Sequence, residues 1–287
     1  MTIRVVRGGV VEAVHRVHAV AVREGEIVAS AGDPRLVAYF RSSAKPIQAL
    51  PLVRALPDLD DGEIAIACAS HLAREDQLEL VRSLLAKAQA TEDDLECGPE
   101  PTRIAHNCSG KHAGMLALCR AKGWPTAGYR LPEHPCQQAM LHEVAAAAEV
   151  RPDSMPTAAD GCGVVTFALP LERMAHAFAR LPRLDGGGRA VPAMAAYPEV
   201  IRGPGAADTM LMQLLPGWIA KGGAEGLLCA ASDDGLGIAL KTEDGSWRPL
   251  RTAAEVFLGR LGLDAGELGD VQVTNSRGEV VGEIVQA

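Results

Sequence analysis

The 287-residue sequence lacks long hydrophobic runs, and its longest ones fall well short of the roughly 20 residues that a membrane-spanning helix needs. Its first eight residues contain neither the apolar stretch nor the small-residue cleavage site of a secretory signal. We therefore expect a cytoplasmic protein with no membrane partner. Positive charge is also scarce, because 28 Lys and Arg face 36 Asp and Glu and leave a net charge of −8. An acidic chain gains nothing from releasing phosphate counterions, so nucleic acid is not an expected partner.

The sequence also lacks the cysteine spacing of a disulfide framework. It has seven cysteines, an odd number, and no C-x-x-C pair. In a chain without a signal peptide, this pattern indicates reduced thiols, most of them small buried hydrophobes. Hydrophobic residues make up 48% and charged residues 22%, which is typical of a globular protein with a large core.

Predicted strands lie at both ends of the chain, and predicted helices fill the middle. The valine-rich first 31 residues, the segments 226–231 and 235–242, and the last segment 280–285 have the pattern of strands. Helical patterns cover 44–56, 75–88, 111–122, 134–150, 170–181, 208–215 and 252–261, and the apolar run 64–69 predicts a buried strand. This order predicts a mixed α/β fold: one domain over 1–287, with a sheet lobe (about 1–70 and 220–287) and a mainly helical lobe (about 71–219).

The first group of residues with catalytic chemistry is the segment R-S-S-A-K-P at 41–46. Pro46 is tolerated only near a helix start, so Ser42 is the predicted N-cap. Residues three apart share a helix face, so Ser42 faces Lys45 and Ser43 does not. A lysine with a lowered pKa can take the proton of a serine nucleophile. Taken alone, the segment is more typical of a capping serine and a solvated lysine than of a catalytic pair.

Two further segments concentrate reactive side chains. The segment A-H-N-C-S-G-K-H-A-G at 105–114 holds two histidines, a thiol and a lysine, and Cys108 with Lys111 or His112 could bind a metal. The alternative is a capped helix start with a buried cysteine and a core histidine. In D-G-C-G at 160–163, glycines on both sides could expose Cys162, or the segment could be an ordinary turn. From the residues alone, His112 is the favoured third ligand.

Two predicted strands end in polar residues. C-A-S-H at 68–71 follows one apolar run and places Ser70 at its end. Lys241-Thr242 ends another and resembles the lysine-bearing strand of penicillin-recognising enzymes, although K-T-G is not intact.

Together, R-S-x-x-K-P, A-S-H, N-C-S-G-K-H-A-G, D-G-C-G and the late lysine resemble the asparaginase II family, of the Rhizobium etli inducible type. The resemblance runs from about Val5 to Gly245. It implies a fold like that of serine β-lactamases and penicillin-binding proteins, with a central antiparallel sheet. It also implies hydrolysis of L-asparagine to L-aspartate and ammonia by a homodimer.

The resemblance also implies residue roles. Two Ser–Lys pairs are expected to carry the catalysis, Ser42 with Lys45 and Ser70 with Lys241. A Zn²⁺ ion is expected on Cys108, Lys111 and Cys162, so that His112 is no longer the predicted ligand. The residues expected to contact or support the substrate are then Arg41, His112 and Asp160.

The chain departs from the family pattern at two places, which concern substrate affinity. Relatives usually read x-G-E after A-S-H and have a histidine three residues later, whereas this chain has Leu72-Ala73-Arg74 and then Gln77. Relatives often carry an arginine where Ala206-Ala207 stand here. Alternative functions are a glutaminase, a penicillin-recognising acyl enzyme, or a non-catalytic zinc-binding homologue. One methylene separates the two amide substrates, and the sequence does not reveal the depth of a pocket.

Overall fold

The computed structural model describes residues 1–99 and 101–287 of the chain. Its strands are β1 (Thr2–Arg7), β2 (Val10–Arg23), β3 (Glu26–Ala31), β4 (Val37–Tyr39), β5 (Thr157–Ala159), β6 (Val165–Pro170), β7 (Trp218–Gly223), β8 (Leu227–Ser232), β9 (Leu236–Thr242), β10 (Gln272–Thr274) and β11 (Val280–Gln286). Its α-helices are α1 (Lys45–Gln48), α2 (Leu50–Ala55), α3 (Asp61–Ala67), α4 (Glu75–Lys87), α5 (Ser109–Lys122), α6 (Pro135–Ala148), α7 (Leu171–Arg180), α8 (Gly187–Ala196), α9 (Pro198–Ile201), α10 (Ala207–Leu214) and α11 (Leu250–Arg260).

Both ends of the chain meet in one antiparallel sheet of eight strands. The order is β10-β11-β1-β2-β9-β8-β7, and β3 also pairs with β2. β1 pairs with β11 near the carboxyl end, and the long strand β2 pairs with β1 through its first half and with β9 through its second. A smaller three-stranded sheet has the order β4-β6-β5. The predicted mixed α/β fold with an antiparallel sheet built from both termini is confirmed.

Local sequence signals explain many of the element boundaries. The hairpin between β2 and β3 turns at Glu24 and Gly25, both of which have positive φ. Asp60 caps α3 through the Glu63 N–H, and the Glu63 side chain accepts from the Asp60 N–H in return. α5 ends at Gly123 in the left-handed conformation, as the sequence predicts. Helix α7 buries one apolar face against β9 and β2, and its residues from Met174 to Ala179 are all buried.

Two local predictions are wrong. The run 64–69 lies in helix α3 and the turn after it, not in a strand, because a short apolar run does not distinguish a buried strand from a buried helix. Ser42 is not a helix N-cap: it lies inside a 3₁₀ turn, Arg41–Ala44, and α1 begins only at Lys45 with Pro46 in its first turn. Residues 41–67 are mostly helical, although the proposed sheet lobe reached residue 70. The division into two lobes stays a prediction.

In the part of the chain that the structure describes, every helix is too short or too polar to cross a membrane.

Candidate active site

Lys45 is the centre of the site. Its side chain is fully buried at the start of α1, and its Nζ donates to Ser70 Oγ at 3.0 Å and to the Ala69 carbonyl at 2.5 Å. Burial lowers the pKa of Lys45 below its usual value, partly offset by the nearby Cys108 thiol. Ala69 and Ser70 come directly after α3, so the end of this helix places Ser70 next to Lys45. A lysine in this setting is able to accept a proton from a hydroxyl.

The two serines beside Lys45 differ in exposure. Ser42 is half-buried, whereas Ser70 is 2% exposed. Ser43 is also buried, and its hydroxyl donates to the Lys221 carbonyl at 2.8 Å. The hydroxyl of Ser43 is therefore occupied by a structural bond, while Ser42, three residues before Lys45, is half-buried and makes no side-chain hydrogen bond in the described residues.

The structure pairs Ser70 with Lys45 and does not place Lys241 beside it. Lys241 lies on β9, and its Nζ donates to the Thr242 carbonyl near the carboxylates of Glu225 and Asp244. The strand register aligns Lys241 with Leu227 on β8 and Gly223 on β7, so Lys241 lies two strands, about 10 Å, from the edge strand. In the described residues Lys241 and Ser70 share no hydrogen bond, and the catalytic role of Lys241 stays a prediction.

A second buried lysine, Lys221 on the edge strand β7, lies next to the serines instead. Its side chain is fully buried, and its Nζ donates to the Gly222 carbonyl at 2.7 Å. Burial holds the pKa of Lys221 well below its usual value, and Lys45 lowers it further, whereas Asp208 raises it. β7 packs against the 3₁₀ turn that carries Ser42, which brings Lys221 to the site.

Asp208 is the buried counter-charge of this region. It lies in the first turn of α10, 3.6 Å from Lys221 Nζ and 3.5 Å from Arg202 Nε. Its two oxygens accept backbone N–H groups from Gly222 and Thr209. Burial by itself raises the pKa of Asp208, but Lys221 and Arg202 outweigh it and hold this pKa below its usual value, so the carboxylate stays charged.

The predicted zinc ligands do meet. Cys108 precedes α5, Lys111 lies in its first turn, and Lys111 Nζ donates to Cys162 Sγ at 3.2 Å. Interaction between the two thiols lowers the pKa of Cys108 and raises that of Cys162, so Cys108 is the more acidic thiol of the pair. Although burial lowers the pKa of Lys111, both sulfurs outweigh it and hold this pKa above its usual value.

This donor set fits a zinc ion. Zn–S and Zn–N bonds in a tetrahedral site place sulfur and nitrogen roughly 3.6 Å apart, and the Lys111–Cys162 distance of 3.2 Å is close to this separation. Residues 1–99 and 101–287 contain no group of three His, Cys, Asp or Glu suited to a metal, so Lys111 would have to be the third ligand of an ion held by Cys108 and Cys162. Binding would require both thiols and Lys111 to lose their protons.

Arg41 and Asp160 contact each other. Arg41 Nε donates to Asp160 Oδ1 at 2.6 Å, and the Gly161 N–H donates to the same oxygen. Arg41 has φ of 49°, an uncommon conformation for a residue with a side chain, and its N–H donates to Thr166 Oγ1. The two charges compensate each other at the edge of the site, and the Arg41 side chain keeps 24% exposure.

The two buried histidines are neutral. Burial lowers the pKa of His71 to about 4 and holds the pKa of His112 well below its usual value. His71 Nε2 bonds Ser109, and its Nδ1 accepts the Ala73 N–H, so neither nitrogen is free to act as a base. His112 Nδ1 bonds the Tyr129 hydroxyl at 2.7 Å, while its Nε2 is buried without a partner.

Two glycines permit the close packing that assembles the site. A Cβ on Gly110 would lie 2.2 Å from the Ile66 carbonyl oxygen, so α5 approaches α3 as only glycine allows. A Cβ on Gly223 would lie 2.9 Å from Ser43 Oγ and 3.0 Å from the Phe40 carbonyl oxygen. Gly110 therefore positions the cysteine and lysine of α5, and Gly223 seats β7 against the serine-bearing turn.

The residues after Ser70 that differ from the family pattern have a structural role. The side-chain oxygen Oε1 of Gln77 accepts hydrogen bonds from the backbone N–H groups of Leu72 and Arg74. Its side-chain Nε2 donates to the backbone carbonyls of Glu199 and Arg202. Gln77 thereby ties the segment after Ser70 to the segment before α10. Ala73 has φ of 56°, the conformation that favours glycine. Ala206 and Ala207 begin α10, and the guanidinium near Asp208 comes from Arg202.

Lys221, Asp208 and Arg202 are not among the site residues predicted from the sequence. A usable signal for Lys221 was present, because Lys221-Gly222-Gly223 has the K-x-G spacing of penicillin-recognising enzymes after an apolar run. No comparable signal marks Asp208 or Arg202, because their burial and proximity depend on how α10 and β7 pack.

Comparisons with known proteins identify the family and the fold. The model of the family L-asparaginase II matches residues 3–286. No curated protein matches the chain. Among solved structures, the chain is similar to the crystal structure of Mglu in its native form, with a TM-score of 0.50, 13% identity, and coverage of 91% of this chain and 69% of that one.

A β-lactamase from Burkholderia ambifaria is also similar, with a TM-score of 0.43, 15% identity, and coverage of 86% of this chain and 95% of that one. The family match spans essentially the whole chain. The protein therefore belongs to the L-asparaginase II family and is an amidohydrolase of the L-asparaginase type.

Proposed function

We propose that the protein hydrolyses L-asparagine to L-aspartate and ammonia through an acyl-enzyme formed on Ser42, with Lys45 as the base. One observation carries this mechanism: Lys45 is fully buried with a lowered pKa, hydrogen-bonded to a second serine, and three residues after a half-buried serine. Family membership supports the substrate.

The exposure of the serines supports the division of roles. Ser42 is the more accessible hydroxyl, so its Oγ attacks the side-chain amide carbon, and its proton passes to neutral Lys45. Ser70, buried and bonded to Lys45 Nζ at 3.0 Å, relays this proton to the departing ammonia. Water then releases aspartate from Ser42. Backbone N–H groups near Ser42 are the candidates to stabilise the oxyanion.

Lys221 lowers the tendency of Lys45 to be protonated. As a second buried lysine with a lowered pKa, it disfavours full protonation of the Lys45–Lys221 pair. The Asp208 carboxylate, close to Lys221 Nζ, stabilises the one positive charge that the pair carries. In this proposal, Lys221 takes the role that the sequence analysis gave to Lys241.

Zinc, the cofactor expected from the family resemblance, would be held by Cys108, Cys162 and Lys111. When bound, it would supply a Lewis acid that orients a polar substrate group. The remaining polar groups at this end would bind and orient the substrate: Arg41 and Asp160 as a compensated pair, and His112 through its unpartnered Nε2. A homodimer in the cytoplasm also remains part of this proposal, and light scattering of the purified chain would test the dimer.

The test is ammonia release by the purified full chain from L-asparagine and L-glutamine, with and without a chelator. We expect activity on asparagine, and Ser42→Ala should lower kcat by at least about a hundredfold. Ser43→Ala is the matched control, because the Ser43 hydroxyl is committed to the Lys221 carbonyl. Lys45→Arg should be nearly inactive, since arginine holds its proton at any working pH.

Three results would contradict the proposal. An active Lys45→Arg enzyme would show that this lysine is not the base. Loss of activity in Ser43→Ala with full activity in Ser42→Ala would assign the nucleophile to the other serine. A clear preference for glutamine would replace the proposed substrate.

A further inference from the structure

Arg202 presents an ordered cation next to the proposed catalytic groups. Its guanidinium carbon lies 4.4 Å above the centre of the Trp247 ring, and its side chain is 23% exposed. Its Nε is buried and has no hydrogen-bond partner. A stacked guanidinium has lost most of its freedom already, so it can donate to a ligand at a small further entropic cost.

The backbone places Arg202 beside Ser70. The Ser70 N–H donates to the Ile201 carbonyl at 2.8 Å, so the residue that follows Ile201 adjoins the serine. Gln77 Nε2 donates to the Arg202 carbonyl at 3.0 Å and fixes this part of the backbone. The position of Arg202 is therefore determined by two hydrogen bonds to the segment that contains Ser70.

Arg202 has no acceptor of its own among the described residues. Asp208 lies 3.5 Å from Arg202 Nε, but it also lies 3.6 Å from Lys221 Nζ, and both its oxygens already accept backbone N–H groups. One carboxylate is thus shared between two basic side chains. The Arg202 guanidinium therefore keeps donor groups for a further acceptor, and its planar fork suits a carboxylate.

We propose that Arg202 is the anchor for the α-carboxylate of the substrate. This inference rests on the proposed function, because asparagine carries such a carboxylate on the carbon next to the one that bears its side-chain amide. Arg202 holds the carboxylate while the amide lies at Ser42 and Ser70. Arg202 is thereby a specificity residue: it selects free amino acids over amides whose carboxyl group is blocked.

The kinetic test compares L-asparagine with L-aspartic acid diamide, which has the same side-chain amide and no carboxylate. Arg202→Gln should raise KM for asparagine by roughly tenfold to a hundredfold, the range of a lost charge-assisted hydrogen bond. Its kcat should change by less than about threefold, and its KM for the diamide should stay the same. Arg202→Lys, which keeps the charge but not the fork, should be intermediate.

Arg74→Gln is the matched control, because Arg74 lies nearby but is paired with Asp76 at the surface. It should match the wild type for both substrates. Equal increases of KM for asparagine and the diamide in Arg202→Gln, or an unchanged KM for asparagine, would overturn the proposal. Circular dichroism of each variant confirms that it is folded.

A binding measurement separates this proposal from the proposed function. L-Aspartate binding to the full-length wild type and to Arg202→Gln is measured by calorimetry, without any turnover. If wild type does not hydrolyse asparagine but binds aspartate, and Arg202→Gln weakens binding at least tenfold, the anchor stands and the proposed reaction fails. If aspartate does not bind to wild type, or binds equally to the variant, the anchor is wrong.

Discussion

The two halves of the candidate site differ in how their charges are organised. The helical half consists of Lys45, Ser70 and Lys111, which come from segments with dense polar motifs. The sheet-edge half consists of Lys221, Asp208 and Arg202, which come from apolar or ordinary segments. Local motifs mark the residues of the first half before tertiary packing joins them, whereas the second half has few such motifs and depends on how an edge strand, a helix start and a loop pack together.

The difference is sharpest for the two strand lysines. Lys221 is fully buried on the edge strand beside the serine-bearing turn, and Lys241 is half-buried two strands away among carboxylates. Both lie near the ends of apolar strands, and only the K-x-G spacing after Lys221 distinguishes the two segments in the sequence. Position in the sheet decides which lysine lies beside the serine-bearing turn.

The largest expected effect distinguishes these two lysines. Lys221→Met should lower kcat/KM for asparagine by about a thousandfold, since it removes a buried proton-transfer partner. Lys241→Met, the matched control, should stay within about twofold of the wild type. Steady-state assays of both variants measure this difference. Equal losses in both variants, or a normal Lys221→Met enzyme, would contradict the assignment of Lys221 to the site.

The next effect concerns the packing that assembles the helical half. Gly110→Ala should reduce the free energy of unfolding by about 3 kcal/mol or more, because the new Cβ would overlap the Ile66 carbonyl. Gly259→Ala in α11 is the control: a Cβ there meets nothing within 4 Å, and alanine favours the helix by up to about 1 kcal/mol. Urea denaturation measures both. A Gly110→Ala protein as stable as the wild type would show that α5 does not need this close approach.

A change of similar size is expected in the pH dependence of the free energy of unfolding. It comes from His71, which is buried in the helical half and neutral. The folded chain holds the pKa of His71 at about 4, against 6.5 for the free side chain, mainly through burial. The unfolded chain therefore binds more protons between these values, and stability is lost as pH falls through this window. The His71 contribution to this loss is about 3 kcal/mol between pH 7 and pH 4.

Denaturation of the chelator-treated protein at several pH values measures this loss. His71→Gln, whose amide can still donate to Ser109, should be less pH-dependent by that amount. If the free energy of unfolding falls equally with pH in the wild type and in His71→Gln, His71 is not held neutral by burial.

The smallest effect lies where the two halves join. Ala73 adopts φ of 56°, so Ala73→Gly should raise the free energy of unfolding by about 0.5–1 kcal/mol. Ala148→Gly at the end of α6, with ordinary helical geometry, is the control and should destabilise the protein by up to about 1 kcal/mol. Thermal denaturation shows whether each substitution raises or lowers the stability. Destabilisation by Ala73→Gly would mean that the left-handed conformation costs little at this position.

Much of the fold was predictable because its signals are local. The valine-rich strands, the turn at Glu24-Gly25, and the Gly123 stop of α5 depend on neighbouring residues and were predicted correctly. The segment that became α3 was predicted incorrectly, because burial makes both faces of a short element apolar. The Cys108, Lys111 and Cys162 cluster was predictable only from the family resemblance, since 51 residues separate Lys111 from Cys162.

The sequence by itself determined which residues could form a Ser–Lys site: the spacing of Ser42 and Lys45 on one turn and the dense motif before α5. The tertiary structure decided which groups complete that site. Lys221 rather than Lys241 lies next to the serines because β7 is the edge strand that packs against the 3₁₀ turn. Asp208 is a buried charge of the site only because α10 packs against β7, and Arg202 reaches Asp208 from the segment between α9 and α10. Contacts between parts of the chain that are distant in sequence leave no local pattern in the sequence.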